Sequence, residues 1–590
     1  MEQLFSFYTE QINTYKGTLS RIKKRLFMFS MLRLAVFLFA VFGIYLVYGN
    51  TKLIIAVIIL AIALFVVLVS KHTDLQYKRD QLKALIRLNK TEINVLNRDF
   101  HGLPDGGEFK DPKHYYSRDI DLFGKGSFYQ YCNRTSLREG SRMLAKILTQ
   151  NSIDHIPQKQ DAIKELAQLV VWRQRFMATA HMAKVETSTA TIIQWINSHT
   201  SFVPALMRYV PLLFSVLSIG VFALYFLNYV PDSILIYWVL FGLMITAAYG
   251  RKITKLVSDI SKILHTFQQY NKLLVFIEDT AFTSEWLQKE RAHILSKGRK
   301  TSLTIQEFSK LLGGLDQNNN LIYLIFANGL FLRSLSHCYK IEQWIQNHGS
   351  SVEQWFNTIA FFDAYSSLGN FGFNHPNYVF PKISDGKIVL KLKGAAHPLL
   401  DPKKSVASDI QINDEKFFIV TGANMAGKST FLRTVSLQII MGNVGLPVCA
   451  VASEYSPIKL ITSMRTSDSL TDDESYFFSE LKRLKFIVDE IEEDNYFIVL
   501  DEILKGTNST DKAIGSRKFV EKLVTSQSTG IIATHDLSLC ELANEITSVE
   551  NYYFDAEIIN DELHFDYIFK RGICKNMNAS FLLKKMEIVN

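Results

Sequence analysis

Residues 417–430 read FFIVTGANMAGKST. Four successive apolar residues with no polar alternation suit a strand buried on both faces, as a parallel sheet requires. Glycines after the strand let the backbone curl so that several N–H groups point at one place. A helix opening near Ser429 adds the positive end of its dipole at the same place. A strand, a GxxxxGK[ST] loop and a helix in this order commit the C-terminal part of the chain to an α/β domain. Its ligands belong at the C-terminal edge of the strands.

Backbone donors and a lysine arranged in this way suit the phosphates of ATP. The candidate binding residues are Gly422, Ala423, Asn424, Met425, Ala426, Gly427, Lys428, Ser429 and Thr430. Lys428 is placed to reach the β- and γ-phosphates, and Ser429 to ligate Mg2+. A second apolar strand, YFIVL, ends in Asp501-Glu502. Phosphoryl transfer to water needs a carboxylate near the metal and a group that orients the water. Asp501 suits the first role and Glu502 the second. A third strand, GIIAT, ends in His535-Asp536, which puts His535 where a γ-phosphate would lie.

The rest of the chain differs in character. Hydrophobic residues make up 48% of its 590 residues, and mean hydropathy is +0.07, high enough to demand a search for membrane segments. Residues 34–48 and 53–70 are two uncharged apolar runs joined by Gly49-Asn50-Thr51-Lys52, and 210–227 and 234–249 form a second pair. Each approaches or reaches the roughly 18–20 residues that cross a bilayer as a helix. Two runs with a tight turn read as a retained helical hairpin rather than a cleaved leader. Arg21, Lys23, Lys24, Arg25, Lys71, Lys78 and Arg79 flank the first pair; Arg208, Arg251, Lys252 and Lys255 flank the second. Only Lys52 and Asp232 lie in the connecting turns. Positive charge therefore stays on one side, which predicts a multi-pass protein of a bacterial-type inner membrane, with both termini and the nucleotide-binding domain cytoplasmic. The net charge of +8 suits nucleic acid and an anionic leaflet equally. The five cysteines show no CxxC or metal-ligand spacing and read as reduced structural thiols.

The expected organisation has three parts. Residues 1–95 hold a basic N-terminus, a first transmembrane hairpin at about 34–70 and a helical linker. Residues 96–380 form an α-helical core and lever region containing a second hairpin at about 210–249. Within it, residues 253–364 read as amphipathic helices, and 101–112 as an exposed Gly/Pro/Asp-rich loop. Residues 381–590 form the P-loop domain. Lys482, Arg483 and Lys485 read as a solvated helix face rather than a track for phosphates.

The order GANMAGKST, SYFFSE, LDEILKGTNSTD and ATHD resembles the MutS family, a branch of the ABC-type ATPases. Asn424-Met425, His397-Pro398, Ser475 to Glu480, Gly506-Thr507 and Asp511 carry the likeness. It is weaker upstream, from Asp119 to Phe123 and from Gly140 to Arg142. The resemblance implies a homodimer in which Ser475 of one copy reaches the γ-phosphate held by the other. Lys428, Glu502, His535 and Ser475 are then the catalytic set, with Ser429 and Asp501 on the metal. It also implies DNA as a partner, with mismatch repair or DNA processing as the setting.

Several departures qualify this. The basic stretch and the first hairpin occupy the place of the family's mismatch-reading domain. Phe276-Ile277-Glu278 has the letters of its Phe-x-Glu wedge in the wrong context and reads as core packing. The second hairpin interrupts the levers that form the family's DNA clamp. Leu504-Lys505 replaces Gly-Arg, and Val406 stands near the place of the aromatic that stacks on adenine. No long C-terminal dimerisation extension is expected after Lys584-Lys585. Two other functions remain open: a nucleotide-switched membrane scaffold that binds no DNA, and an ABC-type transport ATPase.

Overall fold

The computed structural model describes residues 1–182, 187–295, 299–423, 425–465, 476–559, 562–575 and 587–588. Asn424 and Ser475 therefore lie outside the described residues, as do Lys584 and Lys585.

Two long helices open the chain, α1 (Glu2–Leu46) and α2 (Thr51–Leu96). Asn50 starts α2 by accepting from the Leu53 amide at 3.3 Å, satisfying one of the unpaired N–H groups of a first turn. The expected linker after the first apolar pair is thus the second half of α2. By length and composition, Glu2–Leu46 and Ala56–Leu96 could each cross a membrane. Their outer halves expose Phe37, Phe39, Leu60 and Val66. Their inner halves pack on the protein. The Tyr8 hydroxyl donates to Asn374 Oδ1 at 2.6 Å, Asn374 Nδ2 to Glu92 at 2.7 Å, and Arg134 Nε to Glu92 at 2.7 Å. A buried ion pair that also satisfies its neighbours is costly to break, because either partner alone would be left charged and unpaired.

The helical core follows: α3 (Phe128–Cys132), α4 (Arg138–Thr149), α5 (Ile156–Gln168), α6 (Val170–His181) and α7 (Thr189–Ser198). Next come the apolar α8 (Val210–Phe226) and α9 (Asp232–Ala247), then α10 (Gly250–Glu278), α11 (Glu285–Ala292), α12 (Thr301–Asp316), α13 (Leu321–Phe331) and α14 (Arg333–Asn374). The second apolar pair lies where the sequence places it. Residues 321–331 do not fit the expected amphipathic pattern. LIYLIFANGLF is apolar except for Asn328 and packs on α8 and α9. Phe276-Ile277-Glu278 is structural as expected: Ile277 is buried, and Glu278 accepts from the Ser302 amide at 2.8 Å.

The C-terminal domain holds β1 (Lys382–Ile383), β2 (Ile388–Ala395), β3 (Ser408–Asn413), β4 (Phe417–Gly422), α15 (Lys428–Val444), β5 (Ala452–Tyr455), β6 (Lys459–Ser463), α16 (Tyr476–Glu493), β7 (Tyr496–Asp501) and α17 (Ser509–Thr525). It ends with β8 (Thr529–Ala533), α18 (Leu542–Glu545), β9 (Val549–Phe554), β10 (Ala556–Ile559), β11 (Glu562–Phe565) and β12 (Lys570–Arg571). The main sheet runs β12-β9-β4-β8-β7-β6. All its neighbours are parallel except β12. A smaller sheet runs β1-β5-β2-β3. β4 and β8 are buried along their whole length, as expected for strands covered on both faces. The domain is tied to the helical core through Asp119, which is buried and accepts from Thr462 Oγ1 at 2.6 Å and from the amides of Met464 and Arg465 at 3.1 and 3.0 Å. Arg483 joins the same contact, donating to the carbonyl oxygens of Tyr115 and Thr462. It is mostly buried and not part of a solvated face.

Candidate nucleotide site

Sheet register brings the candidate residues to one edge. Val420 and Asp501 both pair with Ala533. The loop after β4, the acid pair after β7 and His535 after β8 therefore emerge side by side. Gly427 has φ +102, and a Cβ there would lie 3.1 Å from the Tyr567 ring. Backbone conformation and close approach both select glycine. Met425, Glu502 and Leu504 also have positive φ, at 67, 49 and 58°. Left-handed backbone at non-glycine residues persists where the surroundings impose it, typically at functional sites. For Glu502, the amide donates to the Ala533 carbonyl at 2.9 Å, tying the turn to β8.

Lys428 donates to the carbonyl oxygens of Gly422 and Ala423 at 2.7 and 3.0 Å, which holds its ammonium over the loop. Burial lowers its pKa, opposed by Asp501 and Glu502. Ser429 Oγ donates to Asp501 at 2.7 Å. Burial raises the Asp501 pKa, and the Ser429 hydrogen bond works against it. A hydroxyl and a carboxylate this close offer a hard divalent cation two oxygens. Among the described residues no three His, Cys, Asp or Glu side chains are arranged to hold a metal ion by themselves. Mg2+ is commonly bound through one or two protein oxygens, with water and phosphate completing its shell, and the Ser429–Asp501 pair has the oxygens for that.

His535 Nε2 lies 3.0 Å from Glu502 Oε1 and 3.3 Å from Lys428 Nζ. Protonated there, the ring donates to Glu502; bare, it accepts from Lys428. The His535 hydrogen bond holds the Glu502 pKa at about 2, helped by Lys505 at 3.7 Å. Glu502 is thus a carboxylate across the neutral range. Glu480, on α16, is buried against the amides of Leu504, Lys505 and Gly506; burial raises its pKa, and the amides oppose this. It buttresses the turn that carries Glu502. His397 is half-buried, and its pKa falls to about 4 through burial and the nearby Arg433 and Arg98. It is neutral at pH 7.

Beside the loop lies a cavity of about 330 Å3 lined by Val406, Met425, Thr430, Phe431, Phe554 and Tyr567. Val406 is part of its wall. Tyr567, which sequence reasoning missed, supplies an aromatic ring. It stands 140 residues from Gly427 in the chain, so no local signal could have joined them. The lining is mixed, with His397, Lys404 and Ser405 beside the apolar side chains, and the cavity is of the size that takes a flat ring.

Residues 418–587 match the family model for MutS domain V. Human MutS protein homolog 4 is 28% identical over 261 residues, covering 42% of this chain and 27% of its own length. The DNA mismatch repair protein MutS of Fusobacterium nucleatum is 33% identical over 222 residues, covering 36% of this chain and 24% of its own length. That of Clostridium tetani is 32% identical over 227 residues, covering 37% and 25%. The matches support the MutS family. The chain spans about a quarter of the length of these curated relatives. A MutS-like ATPase role for the C-terminal domain is thereby supported, and ATP with Mg2+ is the family expectation that the residues fit.

Proposed function

We propose that the chain is a membrane-anchored MutS-like ATPase that hydrolyses ATP at a composite site between two copies and couples the cycle to DNA. The observation that carries the reading is the convergence of Lys428, Ser429, Asp501, Glu502 and His535 at one sheet edge. In this reading Lys428 leaves its loop carbonyls for the β- and γ-phosphates. Ser429 and Asp501 hold Mg2+, which when bound neutralises charge developing on the phosphate oxygens. Glu502 orients the attacking water as a carboxylate, and His535 positions Glu502 and faces the γ-phosphate. Val406, Phe554 and Tyr567 enclose the adenine. Ser475 completes the site from the second copy, a role that rests on the family likeness alone. In the same reading the protein sits in a bacterial-type inner membrane with the ATPase domain cytoplasmic, which the exposed apolar helices and the positive charge flanking them support.

A second reading, a nucleotide-switched membrane scaffold without DNA, draws support from one feature. Both long helices of the lever region, α10 and α14, begin directly beside the apolar α9 and α13. ATPase activity of the purified full chain, with and without homoduplex or mismatched DNA across a salt series, separates the two. Stimulation that falls steeply with salt supports DNA coupling; indifference to DNA leaves the scaffold. Light scattering of Glu502→Gln with ATP should give a dimer, and a monomer there would remove the composite site.

A further inference from the structure

The helix α13 has only 11 residues. At 1.5 Å per residue it reaches about 16 Å, roughly half the hydrocarbon thickness of a bilayer. Its surface is nonetheless that of a lipid-facing helix: Leu321 and Ile322 are each 70% exposed and Phe326 is 58% exposed. This surface continues that of α8 and α9, which expose Leu213, Leu217, Ile236 and Leu240.

The contact between α13 and α9 is close and specific. A Cβ on Gly242 would collide with the carbonyl oxygen of Gly329, and one on Gly329 would lie 2.6 Å from Val239 Cγ1. Backbones meet like this where small residues let helices approach, the usual means of packing helices without a hydrophobic drive. Trp238 Nε1 donates to Ser218 Oγ at 2.8 Å, and Ser218 Oγ donates to the Leu330 carbonyl at 2.7 Å. That carbonyl belongs to the last turn of α13, where helix carbonyls lack partners of their own.

After Phe331 the chain turns by 84° into α14. Leu332 makes the turn at φ +47°. Asn328 Oδ1 accepts from the Ser334 amide at 2.9 Å, and Asn328 Nδ2 donates to the Leu324 carbonyl at 3.0 Å. Asn328 and Ser334 are both buried. A chain break whose polar groups are satisfied internally is the kind that survives at membrane depth.

We infer that α13 is a re-entrant helix embedded in lipid, clamped on α9 through Gly242 and Gly329, and that α8, α9 and α13 form one membrane unit at the start of α14. The inference rests on the membrane reading above. Because α14 leads along the chain from this unit into the C-terminal domain, the unit is where the motion of that helix would meet lipid.

The test uses the full chain in vesicles of phosphatidylethanolamine and phosphatidylglycerol, with plain or brominated acyl chains. An environment-sensitive fluorophore is attached to Ile322→Cys on α13, to Leu217→Cys on α8 and to Glu353→Cys on the exposed side of α14, with the unsubstituted chain as background. The expected result is loss of emission in brominated lipid at Ile322 equal to that at Leu217, and none at Glu353. Quenching at Leu217 but not at Ile322 overturns the placement of α13 while leaving the membrane reading intact. No quenching at either position overturns both. In the Gly242→Val background, Ile322 should lose its quenching while Leu217 keeps it. Unchanged quenching at Ile322 there overturns the clamp.

Discussion

α14 begins at the apolar three-helix unit and leads along the chain into the domain that holds the nucleotide site, and the two regions are built by opposite means. In the C-terminal domain, buried parallel strands hold charged side chains at one edge, so that His535 meets Lys428 and Glu502, and Ser429 meets Asp501, within hydrogen-bonding reach. In the apolar unit, the decisive residues are Gly242 and Gly329, which matter through what they lack. A site that does chemistry needs particular functional groups, and these leave motifs. A unit that only has to fit its neighbours and its solvent needs shape, which leaves few.

If the polar region is the motor, its residues should dominate turnover. Lys428→Ala should lower ATP turnover by about 10^2–10^3-fold, the usual loss when a positioned group on developing charge is removed. Steady-state phosphate release measures this. A change of less than about tenfold would place phosphate positioning elsewhere. Glu502→Gln should cost about a hundredfold, within the range for a group that manages the water's proton, while retaining bound ATP. Equal losses in ATP binding and turnover would instead make Glu502 a binding residue.

Tyr567 sharpens the comparison, because it belongs to the site but not to a motif. Stacking of a base on an aromatic ring contributes about 1–3 kcal/mol. Tyr567→Ala should therefore weaken ATP binding about tenfold and leave inorganic triphosphate binding unchanged. Equilibrium binding of the two ligands measures this, and an equal effect on both would move Tyr567 from the base to the phosphates.

Legibility in the sequence follows the same divide. The P-loop, the acid pair and His535 are readable because strand, loop and helix are contiguous and the chemistry fixes residue types. The two apolar pairs are readable because a long run without a single charge needs lipid or a large protein core to cover it. Tyr567 is not, because a ring brought back from a distant loop has no spacing rule. Residues 321–331 escape notice because a run of 11 residues, apolar but for Asn328, falls short of a span and looks like part of an amphipathic stretch. Arg483 misleads because a helix charge does not reveal that its partners are the carbonyls of Tyr115 and Thr462. Ser475 and Asn424 lie outside the described residues, so their roles rest on the family likeness.

The smallest expected effect tests α14 itself, which follows the apolar unit and precedes the C-terminal domain in the chain. Asp363 is fully buried on this helix and accepts from the amides of Ser136 and Leu137 at the start of α4. Burial raises its pKa to about 7; the two amides oppose the shift and Glu139 adds to it. A carboxyl whose folded pKa lies above its unfolded value binds a proton in the folded state that the unfolded chain releases. Its contribution to stability is therefore fully present below the unfolded value of 3.8 and is lost as pH rises through about 7. Asp363→Asn keeps an acceptor for an amide and removes the titration. The melting temperature of the variant relative to the parent should rise between pH 5 and pH 8, by about a few degrees at most for a chain of this size. A difference independent of pH would mean that Asp363 stays ionised throughout, held by the α4 amides. In that case α14 is fastened to the core by a charge-assisted cap rather than by a neutral acid.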